Sequence, residues 1–234
     1  MDIILQASGL KKYYGDGEAQ VRALDGIDLT VERGEFIAIV GASGCGKSTL
    51  LHLLGGIDRP TAGSVQINGT SLYDLNDEQI TLFRRRRIGF IFQNYNLIPS
   101  LTVWDNIILP MALDGQMADQ KFIKEVVAVL GIQKKLKMMP NNLSGGEQQR
   151  VAIARAISTK PAIILADELT GNLDHKTSDN VVGLLKVTSH EFHQTILMIT
   201  HDSDLAKMAD RMIHMEDGKL LPDLRPCKVT KLKC

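Results

Sequence analysis

Cysteine is scarce. Three residues, Cys45, Cys227 and Cys234, are scattered over 234 positions. An odd, sparse set supplies neither a disulfide framework nor a CxxC metal pair, and it suits a reducing cytoplasm. Long apolar runs are also missing: residues 36–40 and 163–166 fall far short of the roughly 20 residues that cross a bilayer. The start, Met1-Asp2-Ile3-Ile4, lacks the basic segment that opens a secretory signal. Nor is there an excess of one charge. Lys plus Arg and Asp plus Glu are both 27, so nothing in the balance asks for nucleic acid as the main partner.

What remains is an ordinary globular composition, 44% hydrophobic and 23% charged, in a chain long enough for one domain or one domain with a sub-lobe. Residues 3–10 and 21–31 read as strands broken by the turn signal Gly15-Asp16-Gly17. Residues 36–40 read as a strand buried on both faces, and 50–54 as a helix stopped by Gly55-Gly56. A strand over 65–67, a helix over 77–86 and a strand over 88–92 follow. From Asn94 to about Lys160 the pattern is mostly helical, with loops at Pro99-Ser100, Asp114-Gly115 and Pro140-Asn141-Asn142, consistent with a separate helical lobe. Strands return over 162–166 and 195–200 with helix between them. This alternation predicts a parallel sheet covered on both faces. Residues 222–234 read as a loose basic tail, and the run Arg84 to Arg87 as a solvated face.

Three stretches carry chemistry. Gly41-Ala42-Ser43-Gly44-Cys45-Gly46-Lys47-Ser48 fits GxxxxGK[ST], and with Thr49 beside it forms the candidate nucleotide-binding stretch, a strand before it and a helix after it. Glycines there let backbone N–H groups converge on phosphate oxygens at a helix N-terminus. Lys47 is expected to reach the outer phosphates and Ser48 to bind Mg²⁺. A glycine-rich turn opening a helix is the bland alternative, and the flanking elements weaken it.

The apolar run 163–166 ends in Asp167 and Glu168, at the strand end where ligands of parallel sheets sit. Asp167 suits Mg²⁺ and Glu168 suits polarisation of an attacking water, although solvated strand-end acids are common. His201 follows another apolar strand and suits contact with the γ-phosphate or that water. His190 and His193 have no further ligand nearby and read as surface.

In Leu143-Ser144-Gly145-Gly146-Glu147-Gln148-Gln149-Arg150, Ser144 and Glu147 form a capping box. A cap does not explain two helix-weakening glycines, Gly145 and Gly146, in the first turn. Bare N–H groups there suit a second anion, the nucleotide of another copy.

With these motifs in this order, the chain over about residues 2–221 resembles an ATP-binding cassette (ABC) ATPase, the motor of ABC transporters. The resemblance also uses Gln93, Gly171-Asn172-Leu173-Asp174 and His201. It implies an α/β fold, a P-loop NTPase with a RecA-like core, an antiparallel β sub-lobe and a helical sub-lobe at about 94–160. It implies ATP and Mg²⁺ as cofactors and a homodimer holding two ATP head to tail. An integral-membrane permease is the implied partner, placing the chain in the cytoplasm, peripheral on the inner face of the cell membrane. Residue by residue, Tyr14 (or its rival Tyr13) stacks on adenine, and Gln93 touches Mg²⁺ and reports to the permease. Ser144, Gly145, Gly146 and Glu147 meet the partner's ATP, and Asp174 couples the two sites. Glu168 is the catalytic base, helped by His201. Leu169 stands where the family usually has proline, which frees φ, restores an N–H and is expected to loosen the turn.

The stretch 92–110 is similar to a branch of lipoprotein-releasing, macrolide-exporting and bacitracin-type peptide-resistance ATPases, with the last type looking nearest. In that branch the region forms a groove for a permease helix, and Trp104 could line it, although a core position fits Trp104 as well. Non-transport ABC ATPases need a coiled-coil insertion or two cassettes, neither present in this sequence. A GTPase needs an Asn-Lys-x-Asp motif, also absent, and a kinase has no use for residues 143–150.

Overall fold

In a computed structural model, which describes residues 2–169, 171 and 173–221, two sheets share one molecule. Strand β1 (Ile3–Tyr14) pairs antiparallel with β2 (Val21–Glu32), through several register shifts, out to Tyr14 opposite Val21. Both strands outrun the expected 3–10 and 21–31, because pairing carries the polar ends along. With β4 (Ala62–Ile67) and β5 (Thr70–Ser71) they form a four-stranded sheet in the order β2-β1-β4-β5. Leu5, Ala7, Ile27, Leu29, Val31, Val65 and Ile67 are buried on one side, as expected of a half-buried antiparallel sheet.

The second sheet contains β3 (Phe36–Val40), β6 (Ile88–Ile91), β7 (Ile163–Asp167), β8 (Ile196–Thr200), β9 (Arg211–Glu216) and β10 (Lys219–Leu220), in the order β10-β9-β3-β8-β7-β6. All its pairings are parallel except β10 with β9. Every residue of β3 and β8 is buried. Side-chain alternation explains why the whole of β3 is apolar. Ile37 and Ile39 join one core with Leu50 and Leu53 of helix α1 (Lys47–Leu54) and the antiparallel sheet. Phe36, Ala38 and Val40 join the other, with the helices on the far face.

Those helices are α3 (Val103–Leu113), α4 (Gln120–Val129), α5 (Gly145–Ser158), α6 (His175–Phe192) and the short α7 (Ser203–Ala206). Helix α2 (Asp77–Arg87), capped by a reciprocal Asn76–Gln79 box, leads into β6. Trp104 packs against the far-face core rather than standing free, in line with a core position.

Two expectations change. Helix does not begin near Asn94. Residues 92–102 form an irregular run, with Tyr95 and Asn96 at φ 56° and 48°, before Thr102 caps α3. Fully buried Asn106 pins this run. Its Oδ1 accepts from the Ile98 N–H at 2.8 Å, and its Nδ2 lies within 3.1 Å of the Ile98, Leu101 and Thr102 carbonyls. Nor is the arginine run simply solvated. Arg84 donates to the Gly56 carbonyl at 2.8 Å. Arg85 donates to the Leu113 carbonyl at 2.9 Å, and Arg86 reaches Asp114 at 2.8 Å, so both grip the end of α3. These arginines hold Asp114 well below the usual carboxylate range. The basic tail, with Cys227 and Cys234, lies outside the described residues.

Because Asn106 is buried and its amide meets several backbone groups at once, Asn106→Leu is expected to lower unfolding stability by about 2–3 kcal/mol. Chemical denaturation checks the loss, and faster proteolysis within residues 94–102 checks its place.

Candidate active site

The phosphate loop joins β3 to α1 and is shaped by close approaches. A Cβ on Gly41 would lie 2.3 Å from the Met215 carbonyl of β9, and one on Gly46 would lie 2.3 Å from the Ala23 carbonyl of β2. Gly46 also caps α1 at φ 103°, a left-handed conformation that glycine adopts freely. Lys47 is buried and bent back over the loop, its Nζ donating at 2.8 Å to the Gly41 and Ala42 carbonyls and lying 3.8 Å from Cys45 Sγ.

An open cleft of about 510 Å³ faces this loop. It brings together Ser43, Gly44, Cys45, Gly46, Lys47, Ser48, Thr49, Gln93, Asp167 and Glu168. Gly41 and Ala42 act from behind, through their carbonyls. Ser48 Oγ donates to Asp167 Oδ1 at 3.2 Å. Burial pushes the Asp167 carboxyl upward, against the opposing Ser48 hydrogen bond. Serine, carboxylate and carboxamide oxygens form a hard donor set that fits Mg²⁺ completed by phosphate oxygens. Among the described residues there is no cluster of three or more His, Cys, Asp or Glu that would instead hold a metal alone.

Glu168 sits at φ 43°, its N–H bonded to the Ile199 carbonyl of β8 at 3.0 Å. His201 Nδ1 lies 3.6 Å from Glu168 Oε1, so two strand ends deliver the acid and the imidazole to one place. Leu169 is buried in the far-face core. The residue standing at the family's proline position thus packs its side chain into the core. The Gly171 N–H returns to the Glu168 carbonyl at 3.1 Å. A Cβ on Gly171 would collide with Gln93 Nε2 at 2.3 Å, so the Gln93 amide rests on this turn.

The two candidate adenine tyrosines diverge. The Tyr13 hydroxyl donates to Asp25 at 2.6 Å. The Tyr14 hydroxyl donates to Asp58 at 2.9 Å with Thr49 of α1 also in reach, and Lys12 Nζ stands 4.8 Å from its ring centroid. Tyr14 thus reaches toward the phosphate-loop helix, whereas the Tyr13 ring lies 5.5 Å from the guanidinium of Arg22, a cleft residue, and neither tyrosine lines the cleft itself.

The residues 144–147 form the expected capping box, with the Ser144 N–H donating to Glu147 Oε2 at 2.9 Å. That bond, then Lys135, holds the Glu147 carboxyl below its usual range. None of these residues lines the cleft. Packing gives a further reason for the glycines: a Cβ on Gly145 would sit 2.9 Å from the Tyr95 hydroxyl, and one on Gly146 2.7 Å from Thr177 Cγ2. Asp174 caps α6, accepting from the Thr177 N–H at 3.0 Å and hydroxyl at 2.6 Å. His190 and His193 are exposed at the end of α6.

Sequence reasoning missed Val21, Arg22 and Ala23, and Asp217 with Gly218, which also line the cleft. The Gly218 N–H bonds the Cys45 carbonyl at 3.1 Å, and its own carbonyl accepts from the Asp25 N–H at 3.0 Å, so it bridges the loop to β2. The only signal was an Asp-Gly turn pair far from the motif.

Comparison with known proteins now has a geometry to meet. The family described as "ABC transporter" matches residues 24–171. The lipoprotein-releasing system ATP-binding protein LolD of Bordetella avium is 44% identical over 220 residues, covering 93% of this chain and 96% of its own. The macrolide export ATP-binding/permease protein MacB of Aggregatibacter actinomycetemcomitans is 42% identical over 97% of this chain, which spans 35% of that longer protein. Among solved structures, a dimeric post-hydrolysis state of the cassette MJ0796 bound to ADP and Pi aligns with a TM-score of 0.83 at 39% identity, covering 95% of this chain and 98% of that one. CbiO1 of Clostridium perfringens, part of the transporter complex cbiONQ, aligns at 0.85 with 29% identity over 97% and 90%.

Two outcomes follow from the cleft. N-ethylmaleimide should inhibit nucleotide turnover by alkylating Cys45, ATP should protect, and Cys45→Ser should resist; inhibition surviving in Cys45→Ser would exclude this site. Burial raises the Asp167 carboxyl, so the folded chain loses stability as pH rises and this group ionises. Asp167→Asn should therefore raise the melting temperature at neutral pH, measured with chelator and without nucleotide. The gain should fade in acid, where the native carboxyl is protonated.

Proposed function

Since the chain belongs to the ABC transporter family and is an ATP-binding ATPase subunit of that family, we propose how it works. ATP lies along the phosphate loop. Lys47 meets the outer phosphates, and the backbone of residues 43–49 meets the rest. Ser48, Asp167 and Gln93 hold Mg²⁺, which when bound neutralises charge on the phosphate oxygens. Tyr14 stacks on the adenine. Glu168 takes the proton of the attacking water, and His201 orients that water beside it.

The observation that carries the reading is the separation of the two anion-binding elements. A loop built for phosphates and a glycine-opened helix face different surroundings, since no residue of 144–147 lines the cleft. A second copy supplies what the cleft lacks. Two chains then sandwich two ATP head to tail, and Asp174 couples the sites. The ATPase unit is residues 2–221, with the helical lobe at about 94–160.

Among the described residues no helix is long and apolar enough to cross a membrane. The likeness to the ATP-binding protein LolD over nearly the whole of both chains supports a motor acting on a separate integral-membrane permease, from the cytoplasmic face of the cell membrane, with no part for nucleic acid. The transport serves export of, or resistance to, antimicrobial peptides or similar amphiphiles. Lipoprotein release is the second reading, favoured by the LolD likeness over nearly the whole of both chains. Macrolide export is the third, on the MacB likeness.

Glu168→Gln should nearly abolish turnover and trap an ATP-bound dimer, read by light scattering. Unchanged turnover removes Glu168 as the base. Purified with ATP from its native membranes, this variant should bring down a multi-span protein in stoichiometric amount. Only a soluble dimer, or a nucleic-acid complex, would overturn the transport reading.

A further inference from the structure

The irregular run after Gln93 touches helix α5 at two places. Arg155 forks onto its backbone, donating at 2.7 Å to the Tyr95 carbonyl and at 2.6 Å to the Asn96 carbonyl. These are the two consecutive non-glycine residues at positive φ, a conformation that persists only where surroundings impose it. Burial lowers the Arg155 guanidinium from its ordinary range, so the fork sits in a poorly solvated place where hydrogen bonds weigh more. The second contact lies at the other end of α5, where the Tyr95 hydroxyl fills the space beside Gly145. Arg155 and Gly145 are ten residues apart, about 15 Å of helix. Side chains on a helix lean toward its N-terminus, so the arginine reaches back as the tyrosine ring reaches forward. Tyr95 thus meets Arg155 through its carbonyl and the first-turn Gly145 through its hydroxyl.

The same run begins at Gln93, whose amide presses on Gly171 in the turn after Glu168. A continuous set of contacts therefore leads from the acid of one cleft to the N-terminus of α5 in the same chain. We propose that Arg155 is a positioning residue for ATP hydrolysis. It locks Tyr95 and Asn96 in the left-handed conformation and, through Tyr95, sets where Ser144 to Glu147 stand relative to the Gln93 contact with Glu168's turn. The inference rests on the reading that Ser144 to Glu147 serve the nucleotide of a second copy. Arg155 then transmits the state of one cleft to the other without touching nucleotide. Lysine keeps the charge but lacks the two rigidly spaced nitrogens with which Arg155 meets the Tyr95 and Asn96 carbonyls separately.

The test uses the full chain. In the Glu168→Gln background, Arg155→Lys should raise the concentration needed for ATP-driven dimerisation about tenfold. Binding of a fluorescent ATP analogue by single chains, measured below the dimerisation range, should not change. Adding Asn96→Gly, which adopts positive φ without help, should restore most of the dimerisation. In otherwise native chains, Gln93→Ala and Arg155→Lys should slow turnover non-additively, the pair no worse than the more damaging single change. Strictly additive losses, or Arg155→Lys dimerising normally, would overturn the inference. So would loss of single-chain nucleotide binding, which would make Arg155 an ordinary structural residue. If Glu168→Gln alone fails to dimerise with ATP, the shared-site reading falls first and this inference falls with it.

Discussion

Everything in the site depends on how tightly the phosphate loop is held. Gly41 and Gly46 meet carbonyl oxygens of Met215 and Ala23 so closely that neither position has room for a methyl group. Those carbonyls belong to different sheets. The loop is thus the place where the parallel core and the antiparallel lobe are pinned together. The interior strand β3 delivers it, with β8 and β9 on either side, and burial on both faces leaves that strand little freedom to shift. Lys47, Ser48, Asp167 and Glu168 inherit their positions from this arrangement. Two parallel strands with matched ends, β7 and β8, then bring Glu168 and His201 into contact.

Much of this was legible in the sequence because its physics is local. Buried strands such as 36–40 and 163–167 announce themselves as apolar runs, and the Ser144–Glu147 cap as a spaced pair. What was not legible depends on distant partners. Strand β9, Arg-Met-Ile-His-Met-Glu, breaks alternation at Met212-Ile213 and is fixed by pairing with β3 and β10. The arginines of α2 look solvated until α3 brings Asp114 and a free helix-end carbonyl to them. Residues 92–102 carry turn formers, Asn94, Asn96 and Pro99-Ser100, but their irregular path is set by Asn106 and Arg155, which satisfy its backbone groups from elsewhere in the chain. Val21, Arg22 and Ala23 reach the cleft through a sheet register that no motif encodes.

The structure also changes why certain glycines are there. At Gly145 and Gly146 the sequence argued for exposed N–H groups and a ligand. Packing against Tyr95 and Thr177 demands the same residues within one chain. The two reasons are compatible, because a helix start without side chains can both nestle against its own neighbours and offer its amides outward. Asp174 is similar: a carboxylate assigned to communication between sites is also the cap of α6. Family motifs here carry folding and function in the same atoms, which makes the order of motifs a stronger guide than any one residue.

The fork of Lys47 onto the Gly41 and Ala42 carbonyls has one more consequence. A lysine loses about 1.5–2 kcal/mol of rotamer freedom when it is fixed, and here the fold itself does the fixing. The loop is then a mould stiffened from within, its ammonium tied to its own carbonyls. A stiff mould selects by shape. Tetrahedral oxyanions present oxygens in three dimensions and can meet amides arriving from several sides, whereas planar anions such as carboxylates leave part of the mould unfilled and its donors unpaired. Selectivity among anions is in this sense a property of backbone stiffness, with no side chain assigned to reject the wrong one.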